Sequence, residues 1–140
     1  MDSLTGLRDR AGILASLDAE LQQHSDNSIL AVLIINIRRF RSINAMHGYH
    51  VADMVLSETA RRIQSVMRKQ DITGRIGADE FAVILPGLKS PYFAELAANK
   101  VTTSLNEPLN IDGTSYNIRH NVGIAIASAD HPHAEALVQD

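Results

Sequence analysis

The chain has no cysteine, and aromatic residues make up only 4% of its 140 positions. Without thiols it has neither disulfide bonds nor thiolate metal sites, which is consistent with a reducing compartment. Its net charge of −3 does not favour binding to a nucleic-acid polymer, which usually calls for a basic surface. This length and a hydrophobic fraction of 45% predict a single globular domain with its own core.

Long apolar runs are also missing. The longest aliphatic run, residues 29–35, is much too short to span a membrane, and the first five residues do not resemble a signal peptide. We therefore expect a cytoplasmic domain. The chain stops inside a predicted helix that begins near Ala134, so we expect a piece of a longer protein, cut before its last helix. Other parts of that protein could attach it to a membrane.

Apolar residues recur at helical spacing in three segments, residues 10–23, 51–67 and 92–105. This spacing places Met54 and Phe93 on the buried faces of the second and third of these helices. A shorter helix through Asn44 is expected before a break at residues 47–50.

The aliphatic run of residues 29–36 predicts a central strand that is buried on both faces. Residues 72–76 and 81–85 predict a β-hairpin, and Pro86-Gly87 ends its second strand. Asp112-Gly113 predicts a second hairpin turn, and residues 116–127 predict one further strand. The order of elements indicates an α+β fold in which helices cover an antiparallel-rich sheet.

Two adjacent carboxylates, Asp79 and Glu80, lie at the turn of the first hairpin. A tight turn needs small residues, which Gly77 and Ala78 supply, but it does not need two acids. One interpretation is that both acids are ordinary polar turn residues. The other is that a rigid hairpin holds them to bind a divalent cation.

The stretch Gly77-Ala78-Asp79-Glu80-Phe81 resembles the signature of the GGDEF family, the diguanylate cyclases, which join two GTP molecules into cyclic di-GMP. Ala78 stands where that signature has its second glycine. The opening Asp2-Ser3-Leu4-Thr5-Gly6-Leu7, followed by Arg10, is similar to the opening motif of the same family. The resemblance extends over essentially the whole chain. It implies the palm-like βααββαβ fold of nucleotidyl cyclases.

The resemblance implies that Mg²⁺ would be held by Asn36, the backbone of Ile37 and Asp79, with Asp79 and Glu80 as the catalytic acids. The family's Asp-x-Asp-x-Phe-Lys pattern has aspartate where this chain has Asn36 and Arg38. Both replacements weaken cation binding, since one formal charge close to Mg²⁺ is worth on the order of a few kcal/mol. We therefore expect weak or absent Mg²⁺ binding and little catalysis.

Two further positions match the residues that bind guanine in the family, namely Asn44 and Asp53. An amide and a carboxylate can recognise the O6 acceptor and the N1 and N2 donors of guanine. Considered alone, Asn44 would be a helix cap and Asp53 an acid at a helix N-terminus. Three neighbouring positions depart from the family pattern, where aspartate, histidine and glycine are replaced by Ala45, Tyr49 and Ala52.

The phosphates of the nucleotide are expected where the central strand leads into a helix, because free backbone N–H groups point outward there. Arg39, Phe40 and Arg41 occupy this segment, and Gly77 and Ala78 are expected to contact substrate from the turn. A solvated basic face is the alternative explanation for the arginines.

Arg68 and Asp71 form the last match. Many diguanylate cyclases carry Arg-x-x-Asp five residues before the signature, where it binds the product and inhibits the enzyme. The spacing in this chain agrees, and an arginine fork with a nearby carboxylate suits guanine or phosphate. The alternative is a charged helix end with no ligand.

These observations lead to three hypotheses. The first is a degenerate GGDEF domain that binds GTP or cyclic di-GMP as a regulatory module. The second is an active cyclase that tolerates Asn36, and the third is a structural dimerisation module. The expected partners are GTP, cyclic di-GMP, a second copy of the chain, and sensor or EAL-type phosphodiesterase domains of the same protein.

Overall fold

A computed structural model describes residues 1–23 and 28–127. Three helices and six strands lie in this described part of the chain. In order they are α1 (Arg10–Gln23), β1 (Ile29–Ile37), α2 (Phe40–Ser65), β2 (Ile72–Arg75), β3 (Glu80–Leu88), α3 (Tyr92–Leu105), β4 (Leu109–Ile111), β5 (Thr114–Tyr116) and β6 (His120–Ile126). The predicted helix near Ala134 lies outside the described residues.

The main sheet has the strand order β2-β3-β1-β6, and every neighbouring pair is antiparallel. Strand β1 is central and largely buried, as its aliphatic sequence predicts. A separate hairpin of β4 and β5 has its turn at Asp112 and Gly113, also as predicted. The structure confirms the α+β fold with a helix-covered antiparallel sheet.

Helices cover both faces of the sheet. Leu33, Ile35 and Ile37 of β1 belong to the cluster that includes the buried residues of α2 and α3. On the opposite face, Val32 of β1 packs in a smaller cluster with Ile13 of α1. This alternation follows from the two-residue period of a strand. None of the described helices is long and apolar enough to cross a membrane.

Two strand boundaries differ from those predicted by more than one residue. Strand β3 continues through Pro86 and Gly87, because the register of β1 and β3 shifts there and a bulge accommodates the proline. Gly87 adopts a φ of 65° at this point. The prediction of one strand over residues 116–127 was wrong. Tyr116 pairs with Leu109 in the small hairpin, and the strand of the main sheet begins only at His120.

The helices follow the prediction except in three details. Gly48 interrupts α2 with φ 85° and ψ 172°, which confirms the expected break, but α2 ends at Ser65 rather than Met67. Met54 and Phe93 are exposed by 43% and 42%, so their assignment to buried faces was wrong. Helix α3 buries Ala94 and Ala98 in its first half, whereas Val101 and Leu105 are buried as predicted.

Candidate functional site

The candidate site is centred on the turn between β2 and β3. The N–H of Ile76 donates to the Glu80 carbonyl at 2.9 Å and closes the turn. Asp79 and Glu80 follow the small residues Gly77 and Ala78, at the point where β3 begins. The hairpin therefore presents two carboxylates on a short, hydrogen-bonded backbone.

The Arg75 side chain donates hydrogen bonds to the backbone of this turn. Its Nη2 donates to the Ala78 carbonyl at 2.8 Å and its Nε to the Gly77 carbonyl at 3.2 Å, while Nη1 donates to Asp2 Oδ1 at 3.2 Å. Asp2 also accepts from the Thr5 N–H and hydroxyl at 2.8 and 2.7 Å. The opening segment is thus tied to the turn through one arginine, a role that the sequence analysis missed.

The same contacts set the acidity of Asp2. Burial raises the pKa of this carboxyl, but the Thr5 hydrogen bonds and the Arg75 guanidinium together lower the pKa below its usual value. Asp2 therefore stays ionised well into mild acid, and its link to Arg75 is kept.

The end of β1 lies directly against the turn. The Ile37 N–H donates to the Asp79 carbonyl at 2.9 Å, and Asn36 is the register partner of Glu80. Residues directly opposite in antiparallel strands have their side chains on the same face. The fold thus brings together the four positions predicted for metal and catalysis, namely Asn36, Ile37, Asp79 and Glu80.

The donors at this place do not fit a tight Mg²⁺ site. They are two carboxylates, the Asn36 amide and a backbone carbonyl, and Arg38 follows directly. No group of three acidic or histidine side chains able to hold a metal occurs among the described residues. Mg²⁺ prefers carboxylate oxygens together with substrate phosphates, and here one acid is replaced by a neutral amide and another by a cation.

The segment after β1 turns sharply into α2. Arg39 adopts a left-handed conformation with φ 56°, and its carbonyl accepts from the N–H groups of Ser42 and Ile43. Phe40 is half-buried against the core, while the side chains of Arg39 and Arg41 are exposed. The predicted phosphate segment therefore combines a helix start with exposed guanidinium groups.

Asn44 carries an unusual feature on the first part of α2. Its Oδ1 atom is buried and has no hydrogen-bond partner among the residues that the structure describes. A buried polar atom is normally paired, since leaving it unpaired costs about 1–3 kcal/mol. The Oδ1 atom of Asn44 therefore lacks a donor, and a ligand can supply one only by displacing the atoms that cover it.

Asp53 lies beyond the Gly48 break, on the second part of α2, and is exposed. The side-chain oxygens of Asp53 make no hydrogen bond within the part of the chain that the structure describes. His50, close by on the same helix, bonds to Asp112 at 2.9 Å and so ties this helix to the β4–β5 hairpin.

The two residues predicted for the product site, Arg68 and Asp71, contact each other. Arg68 donates to Asp71 Oδ1 through Nε at 3.0 Å and Nη2 at 2.6 Å, and its Nη2 also reaches the Pro86 carbonyl at 2.9 Å. The pair lines a cavity of about 350 Å³. Lys89 and Lys100 add positive charge to the lining, and the remainder is mostly apolar. Sequence analysis predicted the pair but not the cavity.

The sequence profile of the diguanylate cyclase GGDEF domain matches residues 1–140. The chain belongs to the GGDEF family. The fold and the hairpin geometry agree with this membership, so this is a GGDEF domain of cyclic di-GMP signalling. The family generally uses Mg²⁺.

Among relatives, the diguanylate cyclase TpbB of Pseudomonas aeruginosa is 36% identical over 141 residues, which cover 99% of this chain and 32% of TpbB. The bifunctional diguanylate cyclase/cyclic di-GMP phosphodiesterase MucR of the same species is 32% identical, with 92% of this chain and 19% of MucR covered. This chain therefore spans a third or less of the length of these relatives.

The GGDEF domain of TpbB from Pseudomonas aeruginosa also gives a close structural match. It superposes with a TM-score of 0.92 at 35% identity, covering 99% of this chain and 82% of that one. The shared fold therefore extends over almost the whole of this chain.

Proposed function

We propose that this GGDEF domain binds guanine nucleotides as a regulatory module and has weak or no cyclase activity. The buried, unpartnered Oδ1 of Asn44 is the observation that carries this proposal. The N1 and N2 groups of a guanine base are hydrogen-bond donors, and this oxygen has no donor as a partner. Binding would remove the cost of the unpaired atom, and this gain adds to affinity.

Asp53 is the second base contact in this proposal. Its carboxylate accepts hydrogen bonds, so it suits the donor edge of guanine and disfavours adenine, which presents a different donor pattern. Its exposure and lack of a side-chain partner leave it available to a ligand.

Weak catalysis follows from the end of β1. Joining two GTP molecules concentrates negative charge on the reacting phosphates, and the family meets that charge with metal ions. Asn36 supplies no charge and Arg38 repels a cation, so Asp79 and Glu80 are left without the third acid. The presence of both turn acids is the one observation that favours the alternative, an active cyclase that tolerates Asn36.

The Arg68–Asp71 pair is proposed as a site for cyclic di-GMP. TpbB and MucR carry names that tie them to this nucleotide. The site lies at the end of α2 and does not depend on Asn36, so it can persist when catalysis is lost. Cyclic di-GMP has two guanines and two phosphates, and can therefore bridge two copies of the domain into a twofold dimer.

Calorimetric titration of GTP tests the base pocket. We expect binding by the wild-type domain, preference for GTP over ATP, loss of binding in Asp53→Ala, and binding retained in Arg68→Ala. Equal loss in both variants, or equal affinity for ATP, would refute the assignment of the pocket to Asn44 and Asp53.

Titration of cyclic di-GMP tests the second site. Arg68→Ala should weaken binding by about 1.5–3 kcal/mol, the value of a charge-assisted hydrogen bond. Arg61→Ala is the matched control, since Arg61 is an exposed arginine of α2 that pairs with Glu58. Light scattering during the titration should report a dimer. Identical isotherms for wild type and Arg68→Ala would leave the pair as a charged helix end.

A regulatory role requires that nucleotide binding in this domain changes the activity of another domain, so the proposed role requires a longer protein. We propose sensor or EAL-type phosphodiesterase domains as neighbours, in line with the bifunctional name of MucR. A purely structural dimerisation module is the remaining alternative. It predicts dimers without nucleotide and no heat in either titration.

A further inference from the structure

Helix α3 has two distinct faces, and only one of them packs into the core. The buried face consists of Ala94, Ala98, Val101 and Leu105. A second face carries residues that follow one another at the three- and four-residue spacing of a helix, namely Phe93, Leu96, Lys100 and Thr103. This second face lies beside Val66, where α2 ends, and lines two cavities.

The two cavities adjoin, since Val66, Leu96 and Lys100 line both. Their volumes are about 350 and 380 Å³. We call the surface that they form the α3 groove. Because the two cavities share a side and follow α3, the groove is elongated. Cavities of this volume suit a small ligand.

The first cavity has a mostly apolar lining. Its aliphatic and aromatic residues include Val66, Met67, Leu88, Phe93, Leu96 and Ala97. Phe93 is 42% exposed, and the ring of Tyr92 contacts its ring edge to face, with 5.5 Å between the centroids. Covering this apolar surface with an aliphatic chain would remove it from water, which is favourable in proportion to the area covered.

Positive charge borders this apolar surface. Lys89 and Lys100 line the first cavity, are exposed, and have no ion-pair partner in the part of the chain that the structure describes. Asp71 is the one carboxylate among the described residues that line this cavity, and it is already paired with Arg68. The cavity therefore carries unpaired positive charge on a chain whose net charge is −3.

We propose that the α3 groove binds a single-chain amphiphilic anion, namely a free fatty acid of medium chain length. Its aliphatic chain covers Phe93 and Leu96, and its carboxylate pairs with Lys89 and Lys100. Glu107 lines only the second cavity, so its charge keeps the carboxylate at the lysines of the first cavity. A second copy of the chain is a poorer occupant, because a twofold contact through this face would oppose lysines to lysines.

Decanoate, titrated calorimetrically below its micellar concentration, is the direct probe. We expect binding by the wild-type domain, with an affinity that rises roughly two- to threefold for each methylene from hexanoate to decanoate. Decyltrimethylammonium has the same chain and the opposite charge. It should bind about tenfold more weakly than decanoate, because the lysines repel it.

The charged end of the ligand is tested by Lys89→Gln combined with Lys100→Gln. This double variant should bind decanoate about fivefold more weakly than wild type, as two exposed ion pairs are lost. The matched control combines Arg8→Gln with Lys69→Gln, which removes two exposed cations that line neither cavity. The control should bind decanoate within about twofold of wild type.

The apolar end is tested by Phe93→Ser, which should weaken decanoate binding about fivefold through lost apolar contact. Tyr92→Ser is its control, since Tyr92 is the neighbouring exposed aromatic residue and lines neither cavity. Its affinity should stay within about twofold of wild type. Circular dichroism should show that every variant is folded.

Three results would overturn the proposal: no binding of decanoate by the wild-type domain, equal affinity for decyltrimethylammonium, or equal losses in the test and control variants. Binding to phosphatidylglycerol vesicles without binding of monomeric decanoate would also overturn it, because the groove would then contact a membrane surface instead. These titrations contain no cyclic di-GMP. Failure of this proposal is therefore distinguishable from failure of the cyclic di-GMP site at Arg68 and Asp71.

Discussion

The Ile37 N–H donates to the Asp79 carbonyl at 2.9 Å and joins the end of β1 to the signature turn. The contact is between backbone atoms, so it does not depend on which side chains the two strands carry. The hairpin can therefore keep its position when Asn36 and Arg38 replace the acids of the family pattern. Loss of metal affinity and retention of the fold are thus compatible.

Restoring both acids should restore a response to Mg²⁺. We expect millimolar Mg²⁺ to leave the melting temperature of the wild-type domain unchanged, and to raise that of Asn36→Asp combined with Arg38→Asp, because a ligand that binds the native state stabilises it. Asn110→Asp, which adds an acid on the β4–β5 hairpin, should show no response. A rise in the melting temperature of the wild-type domain with Mg²⁺ would contradict the claim that Asn36 and Arg38 weaken Mg²⁺ binding.

Gly74 should be intolerant of a side chain. A Cβ atom there would lie 2.0 Å from Cγ1 of Ile13 and 3.0 Å from the Arg8 carbonyl. We expect Gly74→Ala to destabilise the domain by about 1–3 kcal/mol through overpacking, as measured by urea denaturation. Gly123→Ala is the control, since a Cβ there meets nothing within 4 Å. Similar midpoints for the two variants would contradict the packing of α1 on β2.

The Asp2–Arg75 link should contribute stability that depends on pH. The pKa of Asp2 is lower in the folded chain than its ordinary value of 3.8, so the unfolded chain binds the proton more readily. The contribution is therefore full above about pH 4 and is lost as pH falls through the folded pKa.

Asp2→Asn should accordingly cost about 1 kcal/mol at pH 7, as a lost charge-assisted hydrogen bond at a partly exposed position. The difference from wild type should shrink near pH 3. Urea denaturation at both pH values is the measurement, with Glu107→Gln as an exposed control. A cost that stays constant between pH 7 and 3 would show that the carboxylate charge is not involved.

Much of the fold was predictable because local sequence and tertiary structure agree. The aliphatic run of β1 is typical of a strand buried on both faces, and a glycine such as Gly48 readily adopts the positive φ that interrupts α2. The start of β6 was missed because Tyr116 can extend either strand, and only pairing with Leu109 decides between them. Phe93 was misplaced because the buried face of α3 begins at Ala94, and the size of a side chain alone does not identify that face.

The candidate site was predictable only where the family resemblance reached it. Asn36 and Asp79 were expected together, and the strand register pairs Asn36 with Glu80 while the Asp79 carbonyl accepts from the adjacent Ile37 N–H. The role of Arg75 could not be read from sequence, because its partners include two backbone carbonyls of the turn. The unpaired Oδ1 of Asn44 was equally hidden, since burial of one atom depends on the packing of distant segments.

The central claim is that the domain binds GTP but does not convert it efficiently. The most direct test incubates the domain with GTP and Mg²⁺ and quantifies cyclic di-GMP by chromatography, on a preparation whose GTP binding has been verified by calorimetry. We predict little or no product above a protein-free blank. Product formed at the turnover of ordinary enzymes, about 1 s⁻¹ or faster, would contradict the claim and identify an active diguanylate cyclase.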